Sequence, residues 1–153
     1  MSKSAAVLLI PLIAVAVFAT PSAFAAGEAN SPGFQTVRPA GYKPLAGDAK
    51  LGAKLFNDNK LSTNGMSCAT CHANHGAYQA SFAQPYPHTV GMAKDQLGRK
   101  AVHLDEMIQA CMVMPMEAKP LPWASKELAA LVAYVQLQQK HSSHPNNLQG
   151  DLS

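Results

Sequence analysis

Charge is scarce in this chain: Asp, Glu, Lys and Arg together make up 14% of 153 residues, against about a quarter in an ordinary soluble domain. The basic side chains stand singly, so no positive stripe exists to track a phosphate backbone, and nothing supports nucleic-acid binding. Long apolar runs are also few. The longest, residues 5–19, falls short of the roughly 20 residues that a bilayer-spanning helix needs. There is no internal repeat and no convincing alternation of apolar and polar residues, which leaves an all-α reading. Cysteine is sparse as well. Three cysteines would ordinarily give an exported protein one disulfide and one spare thiol.

What is present begins with an export signal. Lys3 precedes the uncharged run, and Ala23-Phe24-Ala25 places small residues at the −3 and −1 positions of a signal-peptidase site, so cleavage is expected after Ala25. Loss of Lys3 leaves 11 basic against 9 acidic side chains, a net charge of +2. That mild excess suits docking to an acidic redox partner. The expected organisation is a signal peptide over residues 1–25, an extended N-terminal arm over 26–47, one domain over 48–140 and a flexible tail over 141–153.

Within the domain, Asp48 is a helix cap, and Leu51, Leu55 and Phe56 form an apolar stripe with Gly52 on the adjoining face, predicting a helix over residues 49–57. Asn and Gly turns bracket Lys60 and Thr63. Residues 73–87 read as loop and 90–97 as a short helix. Leu104, Met107, Ile108 and Cys111 recur at helical spacing and end before Pro115. Pro115, Pro120 and Pro122 make residues 114–123 a stiff loop. A last helix opens at the Ser125 cap, carries Leu128, Leu131, Val132 and Val135 on one stripe, and is expected to end near Lys140.

Cys68-Ala69-Thr70-Cys71-His72 is the C-x-x-C-H pattern of covalent haem attachment. Two residues between the cysteines let both sulfurs reach the vinyl groups on one edge of a porphyrin, and the adjacent histidine is carried to the iron. A zinc site would need two further ligands at knuckle spacing, and a thioredoxin-like site a βαβ framework; neither is visible. The expectation is one covalent haem c, with Cys68, Cys71 and His72 binding it and His72 on the metal. Cys111 is then left without a partner in the chain.

A helix bearing Gly52 and Phe56 before the motif, and a final helix bearing Tyr134 after a proline-rich loop, resembles the class I cytochrome c fold. That resemblance implies that the first and last helices cross closely near a glycine and that a loop residue supplies the second axial ligand. From His72 to Tyr134 a closer likeness appears, carried by Phe82-Ala83-Gln84-Pro85-Tyr86-Pro87, Ile108-Gln109-Ala110-Cys111-Met112 and Met116-Glu117-Ala118-Lys119-Pro120-Leu121-Pro122. These are similar to the cytochrome domains of thiosulfate dehydrogenases and of the cytochrome subunit of the Sox sulfur-oxidising system. The resemblance implies that Cys111 is an axial haem ligand or a sulfur carrier. Two features depart from it: only one C-x-x-C-H is present, and Met112-Val113-Met114 stands where those enzymes place an arginine.

The second ligand is open among Cys111, Met112, Met114 and Met116. Met114-Pro115 resembles the Met-Pro ligand loop of ordinary class I cytochromes, and a thioether suits a carrier by raising the potential. Met114 is therefore preferred, with Cys111 and Met116 as alternates. Tyr86 and Trp123 are expected to wall the haem pocket. His75, His88 and His103 read as loop or surface residues, and Lys94, Lys100 and Lys119 as solvated side chains that could rim a haem edge. The sequence thus predicts a periplasmic electron-transfer protein cycling Fe(III) and Fe(II), serving donor and acceptor proteins rather than catalysing a reaction. The alternative is a subunit or enzyme of inorganic sulfur oxidation acting at Cys111.

Overall fold

The computed structural model describes residues 36–143. The expected export segment and most of the tail lie outside the described residues, as does much of the arm. Five helices follow in order: α1 (Ala49–Phe56), α2 (Cys68–His72), α3 (Gly91–Leu97), α4 (Leu104–Val113) and α5 (Lys126–Ser143). Short 3-10 turns occupy Asn59–Leu61, Ala73–His75 and Ala80–Ala83. No strand occurs among the described residues; a single bridge joins His88 to Val102. No described helix is long and apolar enough to cross a membrane.

α1 starts where expected because Asp48 Oδ1 accepts hydrogen bonds from the amides of Lys50 (2.8 Å) and Leu51 (3.3 Å), two of the donors that a helix start leaves open. Its buried face, Gly52 and Phe56, lies against α5. Contact is so close that a Cβ at Gly52 would stand 2.0 Å from the Ala130 carbonyl oxygen, and one at Gly47 would stand 1.9 Å from that of Ala129. The crossing at Gly52 is the one the resemblance implied. Gly47, the residue before the Asp48 cap, is a second close approach. Phe56 and Tyr134 meet edge to face at 5.1 Å beside the crossing. Leu128 and Leu131 of α5 are fully buried there, each contributing about 2 kcal/mol through its removal from water. The α5 start uses the Ser125 hydroxyl, which accepts from the Leu128 amide at 3.1 Å; its end runs to Ser143, past the expected Lys140, where Gln139 Nε2 donates to the Phe82 and Gln84 carbonyls and the Ser143 hydroxyl to that of Ala83.

α4 is braced at its start by charge. Asp105 and Glu106, in the first turn where acidic side chains suit the helix dipole, are 2% and 4% exposed. Arg38 grips Asp105 through Nε and a terminal nitrogen at 2.9 Å, while Arg99 pairs with Glu106 at 2.8 Å. The Arg38 guanidinium also lies over the Tyr42 ring, which meets Trp123 edge to face at 5.2 Å. The described part of the arm is thus irregular and anchored.

The proline-rich loop after α4 is held on two sides. Gln109 donates to the Leu121 carbonyl (2.6 Å) and accepts from the Leu121 amide (2.9 Å). Across the loop, Asn64 donates to the Pro115 carbonyl and Thr63 to that of Glu117. Met112, Met116 and Ala118 are buried together beneath it against Leu61, Met66 and Leu121.

Candidate haem site

α2 consists of the Cys68–His72 motif alone. One turn of helix brings residues four apart onto one face, so Cys68 and His72 point the same way, while Cys71 stands about 60° round the axis from Cys68. The turn is closed by Thr70, whose hydroxyl accepts from the Ser67 amide at 2.9 Å. Cys68 and His72 line a cavity of about 240 Å³, and Cys71 is exposed.

His72 is oriented by the chain just beyond it. Its Nδ1 lies 3.1 Å from the Gly76 carbonyl oxygen; a carbonyl can only accept, so Nδ1 carries the proton and the Nε2 lone pair is left to a metal. Burial, only partly offset by that hydrogen bond, holds the imidazole below its ordinary pKa, which favours the neutral, ligating form. Asn74, His75 and Ala77 all adopt positive φ, between 52° and 60°, a left-handed region costly for non-glycine residues. These three reversals turn the Gly76 carbonyl back onto His72. No simple sequence pattern announces them.

The rest of the wall is aromatic and aliphatic. Tyr78 stacks on His72 at 4.2 Å and on Phe82 at 3.8 Å, forming a parallel column. Its buried hydroxyl has no hydrogen-bond partner among the described residues. Tyr86 also lines it, as expected, whereas Trp123 does not, being drawn to Tyr42 at the arm. His75, His88 and His103 are likewise absent from the lining, and so are all lysines and arginines of the described chain.

Of the four sulfur residues weighed for the second ligand, Cys111 lies on the cavity wall and Met112, Met114 and Met116 do not. Helix geometry explains the division. Successive residues are about 100° apart around the axis, so Met112 turns away from Cys111 into the second buried cluster, followed by Met116. Met114 caps α4, beyond its cavity face. The Met-Pro likeness to a ligand loop is therefore not matched by position. Burial, then the neighbouring Cys68 and Cys71, push the Cys111 thiol up to about 12; only a cation in the cavity would draw a thiolate there. Met92 and Met107 also line the cavity. Neither was singled out as a ligand from sequence, although Met107 shares the Cys111 stripe.

The model of one protein family, the SoxA/TsdA cytochrome c domain, matches residues 51–143. The chain belongs to that family. No curated protein and no solved structure matches the chain. As a SoxA/TsdA cytochrome c domain it has the all-α class I cytochrome fold, binds haem c covalently and serves haem-based electron transfer with redox partners.

The residues present fit that group. The donor set is a neutral histidine with a free Nε2, a half-buried and an exposed cysteine beside it, and a third cysteine on the same wall. Histidine and cysteine sulfur are both ligands that haem iron accepts.

Proposed function

We propose that this chain is an exported, periplasmic electron carrier with one haem, held by Cys68 and Cys71, ligated by His72 on one side and by Cys111 on the other. The haem, when bound, supplies an iron that passes between Fe(III) and Fe(II). The protein's own residues do the rest. His72 is kept neutral and aimed by Gly76, and Tyr78 and Phe82 exclude water beside it. Exposed Cys71 puts one attachment point at the protein surface, where a redox partner can approach.

The observation that carries this reading is that His72, Cys68 and Cys111 share one apolar cavity. It favours Cys111 over Met114 as the distal ligand, and a thiolate there would make the carrier low in potential relative to a methionine-ligated one. The single C-x-x-C-H supports one haem. The leader pattern before residue 26 supports export.

Cys111 on the wall also favours the second reading, sulfur oxidation at the haem. Binding of a sulfur oxyanion would want a cation, and none lines the cavity. Both arginines of the chain are committed to Asp105 and Glu106. Carriage is therefore the first reading.

Absorption and electron paramagnetic resonance spectra of the haem-loaded protein test the assignment. The expected ferric form is low-spin and lacks the weak long-wavelength band of iron–thioether coordination. Its spectrum changes in C111A and is unchanged in M114L. A thioether band in the wild type that disappears in M114L would return the ligand to the loop. Reduction of the haem by added thiosulfate, lost in C111A, would make the sulfur reading the better one.

A further inference from the structure

α4 presents two sulfur side chains to the cavity. From Leu104 to Met112 every residue is buried except Met107 and Cys111, and both line the cavity. Met107 belongs to neither hydrophobic cluster, although methionine in a helix stripe ordinarily fills core space. Its thioether is thus turned to the cavity rather than used for packing.

We propose that Met107 is a reserve distal ligand, which takes the iron whenever the Cys111 sulfur leaves it. Residues four apart on a helix have Cβ atoms about 5–6 Å apart, and Cα–Cβ bonds tilt toward the helix start. The Cys111 sulfur therefore leans over the turn that carries Met107; the Met107 Cβ leans toward the helix start by the same rule, and the three rotatable bonds of its side chain let the thioether swing back to that point. Met92 also lines the cavity but stands on α3, so no shared helix ties it to the Cys111 position.

In the loaded protein the exchange would break one iron–sulfur bond and form another without transferring an electron, and the departing thiolate would take a proton from water, leaving hydroxide. Its value is that Cys111 can be displaced without leaving an open iron for outside ligands. The proposal rests on the reading of Cys111 as the resident ligand.

The test uses haem-loaded C111A, C111A/M107L and C111A/M92L. C111A is expected to stay low-spin and to gain the thioether band, C111A/M92L to keep it, and C111A/M107L to lose it and become high-spin. Because leucine for methionine is among the best tolerated core exchanges, M107L is expected to load haem. Imidazole titration gives a second readout. With Met107 on the iron in at least about nine molecules of ten, its removal tightens imidazole binding about tenfold or more.

A C111A protein that is already high-spin, with imidazole affinity equal to that of C111A/M107L, overturns the reserve role. So does a C111A band that survives M107L. If the wild type itself carries a thioether band, Cys111 is not the resident ligand and the preceding reading fails with this one. A thiolate-type wild type with high-spin C111A leaves the Cys111 assignment standing and removes Met107 alone.

Discussion

The two sides of the cavity are held by different kinds of contact. His72 is placed within the ten residues from Ser67 to Gly76: the Cys68–His72 turn, its closure by Ser67 and Thr70, and the Gly76 carbonyl. Cys111 is placed by partners far away in sequence. Arg38 reaches 67 residues to Asp105, and Asn64 and Thr63 reach 51 and 54 residues to the loop after α4. One side is built by local backbone, the other by tertiary clamps. Changes to the clamps on α4 itself, at Asp105 and Glu106, should therefore disturb the distal ligand and leave covalent attachment alone.

The largest effect is expected at the crossing on which both sides depend. In G52V the new side chain meets the Ala130 carbonyl, where even a Cβ would be 2.0 Å away. The helices must part, at about 3 kcal/mol or more. Denaturant unfolding of the haem-loaded protein measures it, and a loss below about 1 kcal/mol would show that α1 and α5 are not locked as described. G47A probes the same surface through Ala129.

The difference in contacts also explains what could be read from sequence. The haem motif is legible because its chemistry needs five consecutive residues, and the helices are legible because Asp48, Ser125 and the apolar stripes are local signals. Gly52 and Tyr134 stand out through likeness to a known arrangement. The distal side is not legible in this way. Four sulfurs between Cys111 and Met116 are equivalent as letters. Only the end of α4 at Val113, the Gln109 clamp and the burial of Met112 and Met116 separate them. Arg38 and Arg99 gave no signal either, since single arginines 67 residues from Asp105 and 7 from Glu106 match no local pattern and look like solvated charges.

Breaking the first clamp comes next in size. R38A leaves Asp105 buried with its cationic partner gone, at a cost of about 2 kcal/mol, below the full value of a buried pair because Arg38 is 28% exposed. Haem attachment is expected to be complete by mass, while the distal spectrum broadens. Loss of covalent haem in R38A would contradict the separation of the two sides.

The second clamp should report through pH. Burial raises the Glu106 carboxyl, but hydrogen bonds from the His103 amide, Arg99 and the Arg38 amide outweigh it and hold it below the usual carboxylate value of 4.5. A depressed folded pKa means that the stabilisation is fully present above the unfolded value and is lost as pH falls through the folded one. Unfolding midpoints between about pH 6 and pH 3 should thus fall in the wild type and fall less in E106Q. E106Q should also start lower at neutral pH, by about 1 kcal/mol. Parallel curves would mean that Glu106 contributes no charge-dependent stability.

The smallest expected effect separates the loop from the helix as the agent that places Cys111. Thr63 is exposed, and its hydroxyl donates to the Glu117 carbonyl at 2.7 Å. T63V removes that bond with little change of shape, at about 0.5–1 kcal/mol. If Cys111 is the ligand, it is carried by α4 and pinned through Gln109, so loosening the far edge of the loop should leave the low-spin spectrum unchanged despite the lower stability. If a loop methionine is the ligand, the same small change should alter the iron spectrum directly, because Met114 and Met116 lie within the segment that Thr63 ties down.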